Sequence, residues 1–197
     1  PYYKSAKKAG VKPIIGCETY VAVGSRFEKK ARSDGGWGNN HLVLLAQNYT
    51  GYQNLMKLVT HGYLEGFYYR PRIDVDLLKE HSEGLICLSG CLKGEIPERM
   101  IKDDWKGAKD AALRFAEIFE DRFYLEVQNH GIPDEIQNIK NMKKLSSELN
   151  LPMVATNDAH YAKHEHWEAH DVHICLGTGK DRDCLLYTSD AADDVRS

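Results

Sequence analysis

Short apolar runs alternate along this chain with longer stretches of helical periodicity, and the two patterns predict strands and helices in turn. Pro13 to Val23, His41 to Ala46, Leu85 to Leu88, Phe123 to Val127 and Pro152 to Ala155 read as strands. Lys4 to Lys8 read as the last turns of a helix stopped by Gly10, and Gly24 to Asn40 as a Gly- and charge-rich loop. Thr50 is placed to cap a helix carrying Leu55, Leu58 and Val59, and Leu77 and Leu78 fall on a second, short one. Asp103 or Asp104 starts a helix with Trp105, Ala108, Ala112, Phe115 and Phe119 on one face. Pro133 opens another, with Ile136, Ile139, Leu145 and Leu149 expected inward, and a last helix runs from about His164 to Leu176 with Gly177 as its stop. Strands separated by helices imply an α/β fold of parallel β/α units, as in a barrel or a doubly wound sheet.

In such folds the chemistry gathers at the C-terminal ends of the strands. Several predicted strands finish in a residue able to bind a metal: Glu18 after Ile14 and Ile15, Cys91 after Leu88, His130 after Val127, and Asp158 with His160 after Val154. The Asp-x-His spacing is the most specific of these, because residues two apart on an extended chain point to the same side. A carboxylate and an imidazole aimed together suit a metal ion shared with a substrate phosphate. An aspartate there also serves as a helix cap, a lone cysteine as core packing, and His130-Gly131 as a turn. His41 stands at the start of its run, the wrong end for a parallel strand unless the preceding loop folds across the rim. A set mixing imidazole, carboxylate and thiolate favours zinc, manganese or iron over magnesium alone.

Composition narrows the class without choosing the chemistry. The chain has 197 residues, 42% hydrophobic and 28% charged, enough for a domain with a core. Its net charge of −3 supplies no global basic field for nucleic acid, so a polyanion would need a local patch or metal ions. No apolar run approaches the roughly 18 residues of a membrane helix. The five cysteines, Cys17, Cys87, Cys91, Cys175 and Cys184, form no paired spacing, which predicts a reduced, cytoplasmic protein.

Six segments together resemble one family. KAGVKPIIGCETYV (8–21), HLVLLAQNYTGYQNLMKLVT (41–60), GFYYRPRID (66–74), GLICLSGCLKGEIP (84–97), FYLEVQNHGIPDE (123–135) and LPMVATNDAHY (151–161) are similar to the polymerase and histidinol phosphatase (PHP) domain of bacterial DNA polymerase III alpha subunits. The resemblance extends to about Asp183 and implies a distorted, TIM-like barrel of seven β/α units around a cluster of up to three metal ions. Matched residue by residue, it implies Glu18, His41, Cys91, Asp158 and His160 as ligands, with Asp158, His160 and Glu18 catalytic. Arg70 and Arg72 match family positions near the site, where they could hold phosphate oxygens or merely add surface charge; His130 also lies near the site and is left unassigned.

The family pattern begins with a His-x-His motif and a Thr-Asp-His motif that do not occur here. The resemblance therefore implies a fragment, an incomplete barrel without its first two β/α units, four ligand positions and the polymerase palm, and inactive by itself. The expected organisation is a PHP domain over residues 1–183 and a non-family tail over 184–197, disordered or loosely helical, resembling translated adapter sequence. By resemblance the parent is a DNA-directed DNA polymerase using magnesium at its own active site, with primer-template DNA and deoxynucleoside triphosphates as substrates. A sliding clamp and other replisome subunits are its implied partners. The module itself is then a 3′–5′ exonuclease, or a structural platform without chemistry; a free-standing phosphatase fits the polymerase-type segments less well.

Overall fold

The computed structural model describes residues 2–30, 38–179 and 181, and the predicted tail at 184–197 lies outside them. The chain divides into two compact units, residues 1–156 and 157–197.

The first unit is mixed α/β. Its elements are α1 (Tyr2–Lys8), β1 (Gly16–Ala22), β2 (Asn39–Ala46), α2 (Tyr49–Leu64), β3 (Arg72–Ile73), α3 (Val75–Glu80), β4 (Leu85–Leu88), α4 (Glu95–Ile101), α5 (Trp105–Phe119), β5 (Phe123–Val127), α6 (Pro133–Leu149) and β6 (Met153–Ala155). The strands form one six-stranded sheet in the order β3-β1-β2-β4-β5-β6. The second unit holds a 3-10 turn at His164–His166 and α7 (Trp167–Thr178). Among the described residues no helix is long and apolar enough to cross a membrane.

The sheet departs from the all-parallel expectation at one strand. β1 pairs in parallel with β3, and β4 with β5 and β5 with β6 likewise, but β2 runs antiparallel to both β1 and β4. Parallel neighbours need a crossover, usually helical. The antiparallel β1–β2 pair needs no crossover.

Strand alternation sorts the side chains into two faces. In register, Val21, Leu42, Leu44, Leu85, Cys87, Phe123 and Leu125 share one face, and all are buried. They pack with Leu55 and Leu58 of α2, Leu77 and Leu78 of α3, Ile96 and Met100 of α4, Phe115 and Phe119 of α5, and Met142 and Leu145 of α6. Each such large side chain, fully buried, stabilises the fold by about 1.5–3 kcal/mol. The opposite face carries Glu18, Tyr20, His41, Val43, Leu88 and Glu126.

Several local expectations are corrected. The cap of α2 is Asn48, whose side-chain oxygen accepts from the Gly51 N–H at 2.9 Å, and Thr50 lies inside the helix. Asp104, not Asp103, caps α5, accepting from the Gly107 N–H. α4 was not foreseen, because seven residues interrupted by Pro97 carry little periodicity, although proline is tolerated in a first turn. On α6, Ile136 is exposed and Ile139 half-buried, while Glu135, Asn138, Met142 and Leu145 face inward. That rotation is set by Met142 and Leu145 in the core and by Glu135, which reaches back to His130. α7 continues through Gly177 and ends at Gly179, which adopts the left-handed conformation.

Candidate metal centre

The reversal of β2 brings His41 to the site. Because β2 is antiparallel, its beginning lies at the edge where β4 and β5 end. Glu18 and Tyr20 project from the same face of β1, and Tyr20 is the register partner of His41.

Cys91 arrives from the turn after β4. Ser89 donates its N–H to the carbonyl of Tyr124, and the far end of the turn returns against β2, where His41 donates its N–H to the Lys93 carbonyl at 3.0 Å. Gly90 has φ +84°, and a Cβ there would stand 2.6 Å from the His41 carbonyl oxygen. A Cβ at Gly94 would stand 2.2 Å from the Ser89 carbonyl oxygen. Only glycine lets the turn close this tightly around β2.

The outcome is a convergence of three donors. His41 Nδ1 lies 3.1 Å from Glu18 Oε1 and 3.6 Å from Cys91 Sγ, and the three ligand atoms all fall within 4.8 Å of one another. His41 is buried, which by itself disfavours its charge, but the Cys91 sulfur and the Glu18 carboxylate outweigh burial and push its pKa up to about 9. Cys87, on the core face, is a different kind of thiol: full burial, aided by the charge of Glu126, pushes its pKa well up and leaves it an inert packing residue.

The remaining expected residues divide by environment. Arg70 donates to the Tyr20 hydroxyl and lies 4.9 Å from that ring's centroid, one aromatic ring away from His41. Arg72 is 2% exposed; its Nε donates to the Gly66 carbonyl at 3.1 Å and its NH2 group to the carbonyls of Glu28 and Arg26 at 2.8 and 3.4 Å. It is buried rather than surface charge, and its guanidinium braces the chain before β3 against the loop after β1. His130 follows β5 and is held by Glu135, which accepts from its N–H at 2.6 Å and lies 2.7 Å from its Nδ1.

In the second unit, His160 Nε2 lies 3.2 Å from Asp158 Oδ2. The His160 ring stacks on His170 at 5.5 Å.

Two residues of the first unit went unread in the sequence. Tyr20 meets the His41 ring edge-on at 5.1 Å. Glu126, 3% exposed, accepts from the Gly90 N–H and from the Thr156 hydroxyl. In an alternating strand a glutamate reads as solvent-facing, so only period-two parity with His41 could have pointed to it.

A scan against family models matches the PHP domain over residues 1–130. Curated relatives named DNA polymerase III subunit alpha include those of Borreliella burgdorferi, 50% identical over 90% of this chain, Thermus aquaticus, 47% over 89%, and Treponema pallidum, 42% over 92%. The chain spans only 15%, 14% and 16% of the length of these relatives, respectively.

Proposed function

The chain belongs to the PHP domain family, and on that premise we propose that it is the metal-binding module of a bacterial replicative DNA polymerase alpha subunit. The observation carrying this reading is the convergence of Glu18 and His41 from two strands and Cys91 from the turn after β4. Oxygen, nitrogen and sulfur donors on a single ion stand about 3–4 Å apart, given metal–ligand distances of about 2.0–2.3 Å. The Glu18–His41 and His41–Cys91 separations of 3.1 and 3.6 Å fit, and the mixed donor set suits zinc, manganese or iron.

Asp158 and His160 are proposed as further ligands, and with Glu18 as the residues that bear directly on the reacting phosphate. A bound divalent cation supplies Lewis acidity and lowers the pKa of coordinated water. The chain's own residues then do the rest. Glu18, His41 and Cys91 would hold the cation through an oxygen, a nitrogen and a sulfur, and Arg70 would orient phosphate oxygens. Hydrolysis of a 3′-terminal phosphodiester, as in proofreading, is the reaction this arrangement serves.

The whole protein is proposed to extend primer-template DNA from deoxynucleoside triphosphates in the cytoplasm. Magnesium would serve its polymerase site, and a sliding clamp would be among its partners. The six-stranded sheet would form part of a distorted seven-unit β/α barrel with the Glu18–His41 face inward, completed by strands from elsewhere in the protein.

The test is metal content and 3′–5′ exonuclease activity of the full-length protein on primer-template DNA, compared with Asp158→Ala. Bound metal and activity lost in the variant are expected. Metal without activity would leave a structural platform, and absence of metal would overturn the site.

A further inference from the structure

Building on the metal-binding reading, we propose that Glu126 is the positioning residue of the centre, its buried carboxylate fixing the turn that presents Cys91 to the metal. Glu126 leaves β5 on the same sheet face as His41, and by register it stands level with Gly90. One carboxylate oxygen accepts from the Gly90 N–H at 3.1 Å, and the Glu126 N–H donates to Ser89 Oγ at 2.8 Å. The two residues ahead of Cys91 are thus pinned to β5 by a reciprocal pair of bonds. On its other side the turn is held to β2 by the His41–Lys93 bond.

These two anchors have unequal consequences. The bond to Lys93 fixes the far end of the turn, whereas Glu126 fixes the end next to the sulfur. Gly90 sits at φ +84°, and its N–H is bonded to the Glu126 carboxylate. Without the carboxylate, that N–H is buried with no acceptor, and the turn relieves the cost by rotating. Rotation there carries Cys91 Sγ away from His41 Nδ1. The second oxygen of Glu126 accepts from the hydroxyl of Thr156 at 2.5 Å, so the chain leaving β6 is tied to the same group. A glutamate 3% exposed and engaged at both oxygens is costly to bury unless its placement matters. Partners that orient metal ligands in this way commonly change metal affinity by 10–100-fold when removed.

The experiment loads the full-length protein with Co²⁺ and follows the sulfur-to-cobalt charge-transfer band, with Cys91→Ser as the blank. Glu126→Ala is expected to lose most of the band and to bind cobalt roughly 10–100-fold more weakly. Glu126→Gln should retain most of both, because its amide oxygen still accepts from Gly90 while the Thr156 hydroxyl turns to accept in its place. Glu126→Asp keeps the charge but falls one methylene short, and it should lose the band even if the alanine variant does not fold. Asn54→Ala, which removes a buried side chain bonded to the Glu83 carbonyl, should lower stability and leave the band intact. An unchanged band and affinity in both the alanine and aspartate variants would overturn the proposal alone. So would equal losses in Asn54→Ala. A wild-type protein that takes up no cobalt would overturn the metal reading, and this proposal with it.

Discussion

Tyr20 stands directly opposite His41 across the β1–β2 pair and meets its ring edge-on at 5.1 Å, while Arg70 covers the other part of the tyrosine and bonds its hydroxyl. The ring positions the imidazole, and the hydroxyl positions the guanidinium. Tyr20→Ala should therefore cost about 0.5–1.5 kcal/mol beyond lost burial and weaken metal binding several-fold. Tyr20→Phe should keep metal affinity near wild type. Isothermal titration of both variants checks this, and equal losses would place the weight on the hydroxyl instead.

Gly90 and Gly177 should respond in opposite directions to alanine. At Gly90 the positive φ and the nearby His41 carbonyl oxygen make Gly90→Ala destabilising by at least about 2 kcal/mol. Gly177 lies within α7 with nothing within 4 Å of an added Cβ, so Gly177→Ala should stabilise that helix by about 0.5–1 kcal/mol. Urea denaturation measures the first, and hydrogen exchange of α7 amides the second.

The two arginines of the Arg70-Pro71-Arg72 segment should separate cleanly. Arg72→Leu removes a buried cation from three carbonyl acceptors and should cost roughly 2–3 kcal/mol in chemical denaturation. Arg70→Ala should cost under about 1 kcal/mol yet reduce the affinity of the full-length protein for a primer 3′ end. Comparable destabilisation by both would contradict this division.

Glu135 supplies an acid-sensitive contact. Burial opposes its charge, but the bonds from the His130 side chain and N–H outweigh it and hold its pKa below the ordinary value of 4.5. A carboxylate depressed in the folded state contributes stability that is present above 4.5 and is lost as pH falls through the lower folded value. Glu135→Gln should thus flatten the stability profile below pH 4.5. Urea midpoints measured from pH 3 to 7 test the sign.

The Cys91 sulfur should discriminate among metals. Cys91→Ser replaces a soft donor by a hard one, so zinc affinity should fall by a larger factor than manganese affinity. Competition titrations with a chelator would show it. Equal loss for both ions would mean that the sulfur lies outside the coordination sphere.

Much of this architecture is legible in local pattern. The runs at Leu85–Leu88 and Phe123–Val127 and the α5 repeat of Ala108, Ala112, Phe115 and Phe119 each formed the element they predict. Their signals are local because period-two and period-3.6 burial are properties of consecutive residues. Asp158 and His160, two residues apart past the end of β6, lie 3.2 Å from each other.

Other features depend on partners distant in the chain. His41 reads as standing at the wrong end of a strand until pairing with β1 and β4 shows that β2 runs the other way. Arg72 reads equally as a phosphate contact or as surface charge, and burial excludes the second by setting its guanidinium among the carbonyls of Gly66, Arg26 and Glu28. The inward face of α6 includes Glu135 and not Ile136, because a long-range fit and a bond to His130 override hydropathy. The sequence by itself determined most of the elements, though not the short α4 and β3, and which side chains could bind a metal, since these follow from residue type and local spacing. Only the tertiary structure decided strand direction, which polar groups are buried and which donors meet. Those depend on hydrogen bonds and packing between segments 20 to 50 residues apart, such as Glu18 with His41 and His41 with Cys91.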